Sequence, residues 1–350
     1  MKTKRIPLTL ITGFLGSGKT TLLNRILHDP LLTDCAVIIN EFGEISIDHL
    51  LVEKATEGII ELANGCLCCN LRSELIDTLA DLINRVQTGS LKQLNRIIIE
   101  TTGMADPAPI LQALLSHPLF MQTLSIDAVL ATFDTLNTPS ILECYPEIYK
   151  QLVLADKIIL TKTDLITSKT LSNTLLGTLK TINPTAQIID VHSDHFCLNS
   201  LINTTLWDEK EENTQSQQCL PHNHSHHKTL HTFSLKCEET MDYATIEAFL
   251  DLLTNLYGRQ LLRIKAIIAL HDDPNRPLVL HGVQTFFHPP VRLEAWPKET
   301  TQTHFVIIAD GVEKEAIEKL FNAFLNKPAI DTADKTALLD NPLIVPGIKF

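Results

Sequence analysis

The 350-residue chain lacks any run of about 18 uninterrupted apolar residues, the length that a membrane-crossing helix needs, so such a span is excluded. It is also short of positive charge, with 29 Lys and Arg against 41 Asp and Glu and a formal net charge of -12. A sequence-independent grip on nucleic acid needs clustered cations to neutralise phosphates, so nucleic acid is not an expected partner. The acidic balance suits cations instead. The apolar stretch 8–12 behind Lys2 and Lys4 is too short for a secretory leader, and no small-residue cleavage pattern follows it. A cytoplasmic location is therefore expected. There the eight cysteines stay reduced, and close cysteine spacings read as metal-binding or catalytic before they read as disulfides. No internal repeat is present.

What is there suffices for packed cores: 44% of residues are hydrophobic and 20% charged. Length predicts two domains. Apolar, β-branched runs at 8–12, 36–39, 96–99, 128–133, 157–160 and 187–191 alternate with helical patterns. This predicts an α/β fold over 1–207 with a mostly parallel sheet. A polar, His-rich linker is expected at 208–228, and a smaller α+β C-terminal domain at 229–326. That domain should hold strands at 230–236, 261–270, 277–283, 286–293 and 304–308, and helices at 243–257 and 313–324. Residues 327–350 read as a tail.

Gly13-Phe14-Leu15-Gly16-Ser17-Gly18-Lys19-Thr20 fits GxxxxGK[ST] without a mismatch, between an apolar strand and a helical run. Glycines let backbone N–H groups turn inward around phosphates, and the helix N-terminus adds partial positive charge. Gly13, Gly16, Ser17, Gly18, Lys19, Thr20 and Thr21 form the expected phosphate-binding set. Lys19 should reach the β- and γ-phosphates, and the Thr20 hydroxyl should ligate Mg²⁺. The strand at 96–99 runs into Glu100, followed by Thr101-Thr102-Gly103, an ExxG end with Glu100 as the second Mg²⁺ residue and Gly103 sensing the γ-phosphate. Lys19, Thr20 and Glu100 are the catalytic candidates. Ras-like enzymes place a water-orienting Gln after that glycine, whereas Met104 and Ala105 stand here, so slow intrinsic hydrolysis is expected.

Thr161-Lys162-Thr163-Asp164 is an [NT]KxD element. A carboxylate at Asp164 can accept two hydrogen bonds from guanine N1–H and N2–H₂, which adenine cannot offer, so GTP is favoured over ATP. Thr161, Lys162 and Asp164 are the expected base-side residues, with Thr161 where Asn is commoner.

Cys66-Leu67-Cys68-Cys69 places three soft ligands within four residues, a set that suits tetrahedral zinc with a fourth position left over. Glu44 and His117 are the candidates for that position. A buried thiol patch and a redox motif are the competing readings. His222, His224, His226, His227 and His231 fall in the polar connector, where imidazoles would raise local metal concentration without defining a geometry. His271, His281 and His304 read as satisfied strand residues. Cys35, Cys144, Cys197, Cys219 and Cys237 are scattered, and most read as buried structural thiols.

Taken with Asn40-Glu41-Phe42-Gly43-Glu44, Leu262-Arg263-Ile264-Lys265-Ala266, His281-Gly282-Val283 and Trp296, these motifs resemble, in order and spacing, the CobW family of P-loop GTPases over about residues 6 to 325. The resemblance implies a GTP-hydrolysing metallochaperone: GTP, Mg²⁺ and Zn²⁺ bound, the CxCC cysteines as metal ligands, and transfer to a client metalloprotein. Activation of a cobalt- or iron-dependent enzyme or cofactor pathway is the alternative within that family. A P-loop kinase of a small molecule is the alternative outside it, though no acceptor site is recognisable. The sequence leaves open whether copies of the chain form a homo-oligomer.

Overall fold

The computed structural model describes residues 5–29, 34–39, 59–61, 68–91, 94–136, 140–166, 173–193, 196–198, 201–202, 230–297 and 301–325. In the first unit, β1 (Ile6–Gly13) turns into α1 (Lys19–Leu27), and β2 (Cys35–Ile39), β3 (Ile59–Glu61), α2 (Cys68–Gln87) and β4 (Arg96–Glu100) follow. Helices α3 (Ala108–Ser116) and α4 (Pro118–Thr123) lead to β5 (Leu124–Asp134). Next come α5 (Ser140–Cys144), α6 (Pro146–Leu154), β6 (Lys157–Thr161), α7 (Asn173–Ile182) and β7 (Gln187–Asp190).

These strands form one sheet in the order β3-β2-β4-β1-β5-β6-β7, each pair parallel. Helices cover both faces, which explains the unbroken isoleucines of β4. Ile97 and Ile99 pack with Leu75, Leu79 and Leu111 of α2 and α3, while Ile98 packs on the opposite face with Leu22, Leu23 and Ile26 of α1. With every strand parallel, their carboxyl ends share one edge. β1 lies between β4 and β5, where the strand order reverses, and open α/β sheets bind ligands beyond that point.

The second unit comprises β8 (Leu230–Cys237), α8 (Tyr243–Tyr257), β9 (Leu261–Ile268), β10 (Leu278–Val283), β11 (Phe286–Phe287), β12 (Val291–Arg292), β13 (Thr303–Asp310) and α9 (Lys314–Phe324). Its antiparallel sheet runs β11-β10-β9-β13-β8, with β12 also on β10. One face carries α8 and α9 over an aromatic core in which Phe249, Phe305 and Phe321 meet edge to face at 5.3 to 5.7 Å. The other face meets the first unit, where Ile308 packs beside Leu152 and Ile158.

Buried ions bolt this junction. Arg263 of β9 donates to the Leu154 carbonyl at the end of α6 and pairs with Asp156, whose other partners are Lys265 at 3.2 Å and the Val129 N–H at 2.8 Å. Burial alone would raise the Asp156 carboxyl, but Arg263, Lys265 and His281 together with the Val129 N–H hold it well below the usual carboxylate range.

Several expectations change here. The strand expected at 286–293 is broken into two short pieces, because Pro289 and Pro290 supply no N–H to a ladder. His231 is not a linker residue; it lies in β8, opposite Ala309. His304 and His271 do have partners, Ser234 and Thr240, each at 2.7 Å. His281 does not fit that reading, since its buried Nε2 has no hydrogen-bond partner. Of the scattered cysteines, Cys237 is buried, but Cys144 and Cys197 are exposed. The expected linker 208–228 and tail 327–350 lie outside the described residues. No described helix is long and apolar enough to cross a membrane.

Candidate nucleotide site

The glycine turn sits at the carboxyl edge of β1. Gly16 and Gly18 adopt φ of 70° and 89°, the left-handed region that side chains resist, so the loop can curl its N–H groups inward. At Gly13 the reason is crowding: a Cβ there would lie 2.2 Å from Thr132 Oγ1. Ser17 Oγ shares a 2.6 Å hydrogen bond with that same Thr132 on β5. Lys19 opens α1 largely buried and donates to the Phe14 carbonyl at 3.3 Å, closing the loop on itself. Thr21, the next turn-facing residue, is exposed on α1.

Thr20 Oγ1 donates to Glu100 Oε1 at 2.8 Å, and both residues are buried. A hydroxyl and a carboxylate so placed form the hard-oxygen donor set that suits Mg²⁺. The Thr101 N–H binds the Ile11 carbonyl at 2.9 Å, which fixes the end of β4 against β1. Gly103 then lies directly on the phosphate loop, where a Cβ would fall 2.6 Å from Leu15 Cα.

The base-side turn connects to the same loop. Thr161 Oγ1 donates to the Ser17 carbonyl at 2.8 Å and to the Phe133 carbonyl at 3.2 Å. Thr161 therefore ties β6 to the phosphate loop. Lys162 takes a left-handed φ of 59° and pairs with Asp134 at 2.5 Å. Asp164 stands half-exposed at the rim, 3.1 Å from His192, and Thr163 bonds Asp190 at 2.6 Å.

The cysteine motif is reached only in part. Cys68 and Cys69 open α2, and their side chains are outside the described residues, as are Cys66 and Glu44 entirely. α3 starts beyond the carboxyl end of β4 and runs back along the sheet for nine residues, a rise of about 13 Å, so His117 ends up toward the edge where β5 begins. There it stacks on Phe120 at 4.2 Å, and its buried Nδ1 has no hydrogen-bond partner.

Two functional neighbours escaped sequence reasoning. Asp134, the partner of Lys162, is an acid ending β5 and was legible in the same way as Glu100. Gln151 of α6 is 1% exposed and donates to the carbonyls of Gly103 and Ala105 at 3.3 and 3.0 Å. Its signal was a polar residue in the buried stripe Ile148, Gln151, Leu152.

Comparison with known proteins agrees with this geometry. Residues 7–190 match the CobW/HypB/UreG nucleotide-binding domain, and residues 230–325 match the cobalamin synthesis protein CobW C-terminal domain. The chain is 33% identical over 319 residues to the zinc chaperone YjiA of Escherichia coli (strain K12), covering 90% of this chain and 98% of that one. It is 28% identical over 370 residues to zinc-regulated GTPase metalloprotein activator 1 of Saccharomyces cerevisiae, covering 92% and 84% respectively. The crystal structure of Zn(II)-bound YjiA GTPase from E. coli superposes with a TM-score of 0.65 at 28% identity, covering 92% of this chain and 99% of that one. The glycine loop, the Thr20–Glu100 pair, the Thr161–Asp164 turn and the second domain occur together in one order, and the chain belongs to the CobW family.

Proposed function

We propose that this chain is a cytoplasmic GTP-hydrolysing metallochaperone that takes zinc as cargo through Cys66, Cys68 and Cys69 and passes it to a client metalloprotein. The names of its relatives, a zinc chaperone and a zinc-regulated GTPase metalloprotein activator, support the cargo and the client class. Asp164 reads guanine, with Lys162 and Thr161 holding its turn. Thr20 and Glu100 would hold Mg²⁺, which neutralises charge on the β- and γ-phosphates during hydrolysis. Intrinsic turnover is slow, because Met104 and Ala105 cannot orient water.

One observation carries the link between nucleotide and metal. Ile39 of β2 pairs with Glu61 on one side and with Glu100 on the other. Glu61, which ends the strand leading toward the cysteines, therefore stands level with the magnesium carboxylate, two strand spacings or about 10 Å away. A segment anchored there can respond to the state of the nucleotide.

The test is zinc affinity by chelator competition, with a non-hydrolysable GTP analogue and then with GDP. Linkage predicts affinities differing by about 5- to 150-fold, with zinc shifting nucleotide affinity by the same factor. Cys68→Ser should erase the difference. Equal affinities in the parent chain would leave a metal-binding GTPase without a switch.

A further inference from the structure

Gln151 is difficult to explain as packing. It occupies the buried face of α6 between Ile148 and Leu152, where an apolar side chain would cost nothing to desolvate. Its amide spends both N–H groups on one short segment, the carbonyls of Gly103 and Ala105. Its Oε1 is buried with no hydrogen-bond partner. Next to it, Lys150 pairs with Asp106 at 2.9 Å, and Asp106 in turn accepts from the Ala108 N–H at 2.9 Å at the start of α3. Two consecutive residues of α6 thus grip the whole turn that follows Gly103.

α6 itself is held as a fixed abutment. Asn183, fully buried, donates Nδ2 to the carbonyls of Leu152, Val153 and Ala155 at 2.8 to 3.0 Å, and Arg263 takes the Leu154 carbonyl between them. Gly103 lies against Leu15, where a Cβ would fall 2.6 Å from Leu15 Cα. The Gly103 and Ala105 carbonyls share their peptide planes with the Met104 and Asp106 N–H groups, so the Gln151 amide restrains how those two planes rotate.

We propose that Gln151 is the positioning residue of the γ-phosphate-sensing turn: by holding the Gly103 and Ala105 carbonyls it sets which way the Met104 and Asp106 N–H groups face, and so selects GTP over GDP. The inference rests on the GTPase reading above. GDP offers nothing to this turn, so a turn left unheld weakens GTP alone.

The experiment measures affinity of the full chain for GDP and for a non-hydrolysable GTP analogue, alongside hydrolysis and thermal melting, in Gln151→Met and Gln151→Glu. Met keeps the volume and removes both the donors and the stranded oxygen. Glu keeps the shape and, when ionised, offers no donor to the carbonyls. Both variants should bind the GTP analogue about tenfold more weakly, the scale of a lost buried hydrogen bond, with GDP unchanged within about twofold. Folded variants that weaken both nucleotides equally, or neither, overturn the proposal. If Met does not fold, Glu carries the same decision. A parent chain that binds no GTP analogue would overturn the GTPase reading itself, and this inference with it.

Discussion

Thr20 Oγ1 reaches Glu100 Oε1 across 2.8 Å, joining the end of the phosphate loop to the end of β4 eighty residues further along the chain. Glu100→Gln keeps an oxygen able to accept that bond but removes the charge that favours a divalent cation. Nucleotide binding should persist, while hydrolysis falls by about 100-fold, the scale for losing one electrostatic partner in a catalytic site. Phosphate release measured across a magnesium titration checks this.

Thr161 predicts the opposite pattern to Gln151. Thr161→Val preserves the shape and abolishes both hydroxyl bonds, leaving the Ser17 carbonyl without that tie. GTP and GDP should weaken together, by about tenfold, because the phosphate loop serves both. Thr161→Ser should restore them. The same nucleotide titrations decide the matter.

Asp164 stands half-exposed, 3.1 Å from His192. Asp164→Asn should lose GTP and gain xanthosine triphosphate, whose extra carbonyl accepts from the new amide. If the variant bound both like the parent, guanine would be read elsewhere.

At the junction of the two units, Arg263→Met strands the Asp156 carboxylate with Lys265 as its remaining cationic side-chain contact among the described residues. Removing one partner of a buried ion pair costs about 3–5 kcal/mol. Adding Asp156→Asn should recover part of it, and denaturant unfolding of the double-mutant cycle measures how much.

His281 makes stability depend on pH. Burial and then the Lys265 charge push it down to about 3, against the pull of Asp156, with Arg263 and His288 adding smaller pushes in the same downward direction. The unfolded imidazole titrates near about 6.5, so the unfolded chain binds a proton that the folded chain refuses. The contribution is fully present above that pH and is lost as pH falls from about 6.5 toward about 3. The depressed Asp156 carboxyl adds a further loss below about 4. Melting temperatures from pH 7.5 down to pH 5 should fall in the parent and fall less in His281→Gln.

The sequence by itself determined what depends on near neighbours along the chain. Gly13 to Thr20 make a phosphate loop because a strand, left-handed glycines and a helix start follow one another within one turn of chain. Glu100 and the Thr161–Asp164 turn were readable because each ends an apolar strand, and the unbroken Ile97, Ile98 and Ile99 announced a sheet covered on both faces. Where local rules were misapplied they still explain the outcome, as with Pro289 and Pro290 breaking a strand. Only the tertiary structure decided which distant groups meet. Gln151 lies 48 residues from Gly103, Thr161 lies 144 from Ser17 and Arg263 lies 107 from Asp156. Such contacts depend on strand order and on the docking of one unit against the other. Those are set by burying apolar faces that many arrangements of the same local pattern could offer, so no spacing in the chain encodes them.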